Sequence, residues 1–169
     1  LPLAPEAFLR DYWQKTPLFM PAAATGLDSP DADTLAGLAL EDGVEARIIQ
    51  GAGKGPWQLQ QGPLGEEIFS TLGERDWTLL VQSVDHFLTE TSLLLDGFAF
   101  LPGWRVEDIM MSYAVTGGSV GPHFDRYDVF LIQAHGSRRW QIGEVCDEHS
   151  PRLPHPDLKL LDDMAVREE

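Results

Sequence analysis

The sequence predicts an α+β fold in which helices and short strands come first and a strand-rich block, a sandwich or barrel, begins near residue 108. Three observations lead there. Apolar residues recur at helical spacing early in the chain, as do Phe8, Leu9, Tyr12 and Trp13 in "PEAFLRDYWQ". From Asp108 onward the pattern changes to alternating or continuous apolar runs, "IMMSYAV", "YDVFLIQ" and "RRWQIG". Glycine turns separate those runs.

Taken in order, residues 5–14 read as a short amphipathic helix that Pro17 ends, and "LFM" before Pro21 as a short strand. In "SPDADTLAGLAL", Ser29 is the expected N-cap, Pro30 takes the first helical position and acids fill the first turn. The helix is expected from Pro30 to Leu40. "EARIIQ" and "WQLQQG" read as the two strands of a hairpin, with "GAGKGP" as its turn. That turn lacks the spacing, and the Ser or Thr after lysine, of a phosphate-binding loop. "PLGEEIFSTL" and "VDHFLTETSLLL" read as helices. The expected organisation is residues 1–107 as an N-terminal part and 108–169 as the strand-bearing part.

Composition bounds the function. The 169 residues, 43% hydrophobic and 23% charged, suit one globular domain with a real core, with or without a small appendage. Apolar runs such as "SLLLDGFAFL" are too short and too broken by charge to cross a bilayer, so no membrane partner is expected. No basic-then-apolar leader opens the chain, and the single Cys146 suits a reducing compartment, so the cytoplasm is expected. The start at Leu1 and the polar end "VREE" suggest a piece of a longer protein. The net charge of -15 argues against direct nucleic-acid binding, which draws on lysine and arginine against phosphate. It would favour the approach of a basic partner, though solubility alone also explains acidic surfaces.

The candidate chemistry lies in "GGSVGPHFDRYDVF". On a strand, His123 and Asp125 would face the same way and could offer an imidazole and a carboxylate to one ion. That is two-thirds of the 2-His-1-carboxylate set that leaves three positions of an octahedral Fe(II) open. Chance competes: five histidines and fifteen aspartates in 169 residues give about 0.4 such triplets at random, and the chain holds two. The second, "HPD" at 155–157, sits among prolines that oppose a central strand, so His155 reads as loop or turn. On spacing alone, "HFD" stays open between a ligand pair and coincidence. In "GSRRWQIG", Arg138 and Arg139 would point to opposite faces of a strand. One could enter a barrel and meet a dicarboxylate; a surface pair beside acids is the competing reading.

"GPHFDRYDVFLIQAHGSRRWQIGE" resembles the bacterial JmjC-type 2-oxoglutarate oxygenases that hydroxylate a ribosomal protein, the YcfD-like arginine hydroxylases. The resemblance extends to "FLRDYWQKTPLFM", "LAGLALEDGVEARII", "WTLLVQSVDHF", "DIMMSYAVTGGSVGPH" and "PHPDL". It implies helical N-terminal elements followed by the first half of a double-stranded β-helix, a cupin-like barrel. It implies His123 and Asp125 as ligands of Fe(II), with Arg138 and Ser112 holding the distal carboxylate of 2-oxoglutarate. It also implies Asp108, Met110 and Tyr127 beside a substrate arginine, hydroxylated at C3, in a basic protein of the large ribosomal subunit.

The family's third ligand is a histidine several tens of residues further on. His135, His149 and His155 do not match its place and His86 belongs to a helix, so that ligand is expected beyond Glu169. The second barrel half and the C-terminal region through which family members form homodimers are expected there too. Two other readings remain: another JmjC-type hydroxylase or demethylase, and a cupin-like binding module without turnover.

Overall fold

Four antiparallel strands in the order β2-β1-β3-β4 form the sheet that organises the chain: β1 Ala46–Gln50, β2 Gln58–Gln61, β3 Trp77–Val81 and β4 Met111–Ala114. They belong to a computed structural model that describes residues 2–24, 26–53 and 55–169. The fold is α+β with a small antiparallel sheet, as the order of patterns predicted. The sheet draws strands from both sides of residue 107. Among the described residues no helix is long and apolar enough to cross a membrane.

The sheet is covered on both faces, and the alternation of its side chains decides what each face meets. Ala46 and Ile48 of β1 join Trp77, Leu79 and Val81 of β3 in the larger core. Helix α2, Ala32–Leu40, closes that face with Leu35 and Ala39, while Ile68 and Phe69 of α3, Glu66–Thr71, pack at its margin. Ile49 and Leu80 point the other way and meet Trp57 and Leu160, with Leu153 and Leu158 at the edge. Burying each such Leu or Ile contributes about 1.5–3 kcal/mol. β3 is therefore buried at all five positions, which a central strand covered on both sides requires.

The second core is built from far along the chain. Leu153 N–H donates to the Leu160 carbonyl at 2.9 Å, and Arg152 bridges Leu161, so residues 152–161 fold back as a hairpin. His155 sits at its tip, in a loop as expected. Its Nδ1 accepts from the amides of Asp157 and Leu158 at 3.1 and 2.9 Å. An Nδ1 that accepts leaves Nε2 protonated, and Nε2–H donates to the Trp57 carbonyl at 3.2 Å. His155→Ala removes all three bonds from a half-buried place, and should cost about 1–3 kcal/mol of unfolding free energy in a urea titration. A loss under about 0.5 kcal/mol would show that the hairpin stands without it.

Several expected elements differ. The first helix, α1 Pro5–Asp11, stops short of residue 14, and Gln14 takes a left-handed φ of 56°. "LFM" pairs with no strand among the described residues. The N-cap of α2 is Asp31, not Ser29: its carboxylate accepts from the Thr34 amide at 2.8 Å, which holds the carboxyl below its ordinary range. "VDHFLTETSLLL" is a helical turn at Val84–His86, a short α4 at Thr89–Ser92, and a further 3₁₀ stretch at Leu93–Phe98. Ser92 Oγ donates to the Thr89 carbonyl at 2.7 Å, the local competition that keeps Ser and Thr from extending helices. The turn "GAGKGP" joins β1 to β2 as read, though Lys54 within it, like Leu1, lies outside the described residues.

The largest difference concerns "YDVFLIQ" and "RRWQIG". Both were expected as strands, yet among the described residues neither enters a ladder; Ile142 forms an isolated bridge to Glu168. A strand needs a neighbour to satisfy its backbone groups, and among the described residues nothing pairs with β4 on the side away from β3. Val129, Leu131, Ile132, Trp140 and Ile142 consequently remain exposed.

Candidate metal centre

Residues 117–130 leave the end of β4 and are fastened at several points. Gly117 and Gly121 adopt left-handed φ values of 81° and 76°. A Cβ at Gly121 would stand 2.5 Å from Leu160 Cδ2, so the turn requires glycine for both conformation and space. The Pro122 carbonyl accepts from the Leu161 amide at 2.8 Å, which ties the chain just before His123 to the C-terminal hairpin. Downstream, Gln14 Nε2 donates to Asp128 Oδ2 at 2.9 Å. Phe130 enters an aromatic cluster with Phe8, Trp13 and Phe98, stacking on Trp13 at 5.9 Å. The H-x-D motif is therefore held on an irregular but anchored segment rather than on a strand.

His123 and Asp125 come together. His123 Nε2 lies 3.7 Å from Asp125 Oδ2, and both side chains are partly open to solvent, at 42% and 39%. His123 Nδ1 is 2.9 Å from the Gly121 carbonyl. Since a carbonyl can only accept, Nδ1 carries a proton, and in the neutral ring the lone pair then belongs to Nε2, the nitrogen nearest the Asp125 carboxylate. This is how metal-binding histidines are oriented: one ring nitrogen anchored on a carbonyl, the other presented to the ion. Two ligands at about 2.1 Å in adjacent octahedral positions would be about 3 Å apart, somewhat closer than the 3.7 Å between these two atoms. A neutral imidazole and a carboxylate suit Fe(II), and the residues present fit such an ion at two of its positions. Among the described residues no third His, Cys, Asp or Glu gathers with them.

Arg138 and Ser112 also meet, 3.3 Å apart, with the guanidinium resting 5.6 Å from the centre of the Trp140 ring. Ser112 is opposite Leu80, and Leu80 is opposite Arg47, so these three share one row across the same face of the sheet. Arg139 points elsewhere and pairs with Glu169. The two adjacent arginines thus diverge as the alternation suggested, although they do not lie on a ladder strand.

The remaining candidates form the rim. Tyr127 is exposed, and its phenol is pushed above its ordinary value, first by the charge of Asp125, then by burial, then by Glu107, with Asp108 adding and Arg47 opposing. Tyr127 therefore stays a hydrogen-bond donor at neutral pH within a predominantly acidic surrounding. Asp108 Oδ2 accepts from Gln82 Nε2, the Ser83 amide and Ser83 Oγ at 2.7, 2.9 and 2.7 Å. Its other oxygen accepts from no group among the described residues. Those bonds fix the carboxylate at the end of β3, beside Ser83 in its left-handed conformation. Met110 is exposed just before β4. The orienting carbonyl of Gly121 and the nearby Arg47 carried no sequence signal that singled them out.

Residues 93–169 match the JmjC domain family. The chain is 44% identical, over 156 residues, to the ribosomal protein uL16 3-hydroxylase of Escherichia coli; the alignment takes in 92% of this chain and 41% of that protein. The X-ray structure of E. coli YcfD superposes with a TM-score of 0.90 at 40% identity, covering 98% of this chain and 44% of that one. A structure of YcfD in complex with cobalt and 2-oxoglutarate matches with a TM-score of 0.80 at 38% identity, covering 99% of this chain and 44% of that one. The chain spans about two-fifths of the length of the curated relative it matches. Residues 93–169 thus match the JmjC domain family, and the chain as a whole is similar in sequence and fold to the first two-fifths or so, by length, of the YcfD-type ribosomal oxygenases.

Proposed function

We propose that the full-length protein is an Fe(II)- and 2-oxoglutarate-dependent dioxygenase that hydroxylates C3 of an arginine in a large-subunit ribosomal protein. The observation that carries this is the His123–Asp125 pair, with His123 Nδ1 anchored on Gly121 and Nε2 turned to the carboxylate, in a chain 44% identical to a uL16 3-hydroxylase. His123 and Asp125 would hold the iron together with a histidine from outside this chain. Fe(II) with 2-oxoglutarate and O2 supplies, when bound, the oxidative decarboxylation to succinate and CO2 that places one oxygen atom in a C–H bond.

The chain's own residues bind and orient. Arg138, with Ser112 beside it, offers a planar fork for the distal carboxylate of 2-oxoglutarate. The free oxygen of Asp108, the donor phenol of Tyr127 and the thioether of Met110 line the approach of a guanidinium. The acidic charge around Tyr127 favours a cationic side chain there. The net charge of -15 favours a basic partner at longer range.

In the same reading, residues 1–107 support the barrel and 108–169 begin it. The exposed apolar runs at 128–133 and 138–143 become strands of a double-stranded β-helix once the rest of the barrel supplies their neighbours. The protein is a homodimer that works in the cytoplasm, where its substrate is found. To test the activity, the full-length protein would be incubated with Fe(II), 2-oxoglutarate, O2 and arginine peptides of uL16. Arginine should gain one oxygen, about 16 Da, with succinate formed alongside. Succinate without any mass gain on arginine would sink the substrate assignment.

A further inference from the structure

At the end of β3 the ladder takes up one extra residue. Val81 stands opposite Met111, yet the Val84 amide donates to the Ile109 carbonyl at 2.9 Å, one position out of that register. The residue absorbed is Ser83, with φ 53° and ψ 38°. A left-handed bulge position ordinarily falls to glycine, and bulges re-aim the side chains around them. Here the bulge turns the amide and the hydroxyl of Ser83 onto Asp108 Oδ2, where Gln82 Nε2 joins them.

Those bonds are unevenly shared. A carboxylate accepts at both oxygens, and donors that only tied the corner together would be free to divide between them. All three meet Oδ2, and among the described residues none meets Oδ1. Nor does the corner depend on them. Asp85 Oδ1, on a side chain only 5% exposed, accepts from the Ile109 amide at 2.8 Å, and with the Val84–Ile109 bond it fastens the two segments independently. What the donors on Oδ2 add is a direction for Oδ1. That direction bears on the site. Gln82 N–H donates to the Glu45 carbonyl at 2.9 Å, so the alternation of β3 runs on to Gln82 and sets it on the face of Leu80. Leu80 is opposite Ser112, the neighbour of Arg138. Asp108 precedes Ser112 by four residues, at most about 14 Å of extended chain.

We propose that Gln82 and Ser83 are positioning residues for the hydroxylation: they lock Asp108 by one oxygen and so aim the other at the guanidinium of the substrate arginine. The inference rests on the hydroxylase reading above. C3 lies near the backbone end of the arginine side chain and the guanidinium at the far end. A carboxylate free to rotate would keep the cation but let C3 drift from the metal centre, and a displacement of about 1 Å can cost a hundredfold. Asp108 supplies the attraction; Gln82 and Ser83 supply its aim.

The test follows oxygen gain on a uL16 arginine peptide by mass spectrometry, using the full-length protein with Fe(II), 2-oxoglutarate and O2. Gln82→Met keeps the length of the side chain without its donors. Ser83→Gly loses the hydroxyl but keeps the amide and suits the left-handed backbone, so the urea midpoint should not fall. The double variant Q82M/S83G should lower kcat about tenfold to a hundredfold and change KM for the peptide less than about threefold, because the charge of Asp108 is untouched. In Asp108→Asn the sign should reverse. There the three donors claim the amide oxygen and turn its NH2 towards the guanidinium, so adding Q82M/S83G should recover activity rather than lose it. Where turnover is too slow, anisotropy of the labelled peptide, bound anaerobically, reads the same recovery as tighter binding. An unaltered kcat in Q82M/S83G overturns the proposal, as does a further loss in the Asp108→Asn background. A fall in kcat only in step with the urea midpoint overturns it too, in favour of a structural corner. If the unaltered protein oxidises no arginine peptide, the hydroxylase reading falls and takes the proposal with it; oxidation that Asp108→Asn slows and Q82M/S83G does not removes the proposal alone.

Discussion

Asp125→Ala is expected to lower arginine hydroxylation by the full-length protein below about one-thousandth of its unaltered rate, with His123→Ala doing the same. Substitutions that disturb only the partners of metal ligands cost tenfold to a hundredfold, and removing a ligand must exceed that. The loss should be chemical rather than structural. Both side chains are about 40% exposed, and neither belongs to a core cluster. Their removal should leave the urea midpoint of the metal-free protein within the scatter of ordinary surface changes, about 0.5 kcal/mol.

Asp125→Glu refines the test. It retains the carboxylate but shifts it along by one methylene, and a misplacement of about 1 Å can cost a hundredfold. The expected order is therefore Asp, then Glu at about one-hundredth, then Ala. Two measurements decide it: oxygen incorporation by mass spectrometry and Fe(II) affinity by equilibrium dialysis. An alanine variant that keeps a tenth of the activity would remove Asp125 from the ligand set.

How much of this was legible in the sequence depended on whether the signal was local. The β1–β2 hairpin, α2 and α3 were readable because hydrophobic period and turn residues act within a few positions. So was the loop at His155, since its flanking prolines exclude a central strand. β3 was overlooked, although "WTLLV" is a continuous apolar run of the length expected for a strand buried on both faces. The cap moved from Ser29 to Asp31 because two good capping residues stood two positions apart, and the Thr34 amide settled the choice. "YDVFLIQ" and "RRWQIG" have strand composition, but a strand exists through its neighbours, and composition says nothing of whether a partner is there.

The site was legible as residue types and illegible as geometry. Two H-x-D triplets occur, and spacing cannot tell them apart. What separates them is where each imidazole is anchored. His155 spends both ring nitrogens on backbone groups and has no lone pair left for a metal. His123 spends one and keeps Nε2 for Asp125. That distinction depends on Trp57, nearly a hundred residues away, and no window on the sequence contains it.

Arg138→Ala is expected to raise the 2-oxoglutarate requirement about tenfold to a hundredfold while changing Fe(II) affinity less than twofold. A charge-assisted pair with a carboxylate is worth about 1.5–3 kcal/mol, and each 1.4 kcal/mol is a factor of ten. Arg138→Lys should fall between, because an ammonium keeps the charge but loses the fork. Ser112→Ala should cost less, since it removes one neutral hydroxyl from an otherwise intact site. Arg139→Ala is the matched control: the same residue type one position on, directed at Glu169 rather than Ser112, and it should leave the 2-oxoglutarate requirement unaltered. The measurement is succinate formation against 2-oxoglutarate concentration at saturating Fe(II) and peptide. Equal effects of Arg138→Ala and Arg139→Ala would mean that net charge, not the Arg138–Ser112 pair, governs cosubstrate capture. A loss of Fe(II) affinity in step with 2-oxoglutarate would instead place Arg138 among the groups that shape the metal pair. Divergence of the two arginines by a large factor would show that their separation to opposite sides of the backbone is what makes one of them functional.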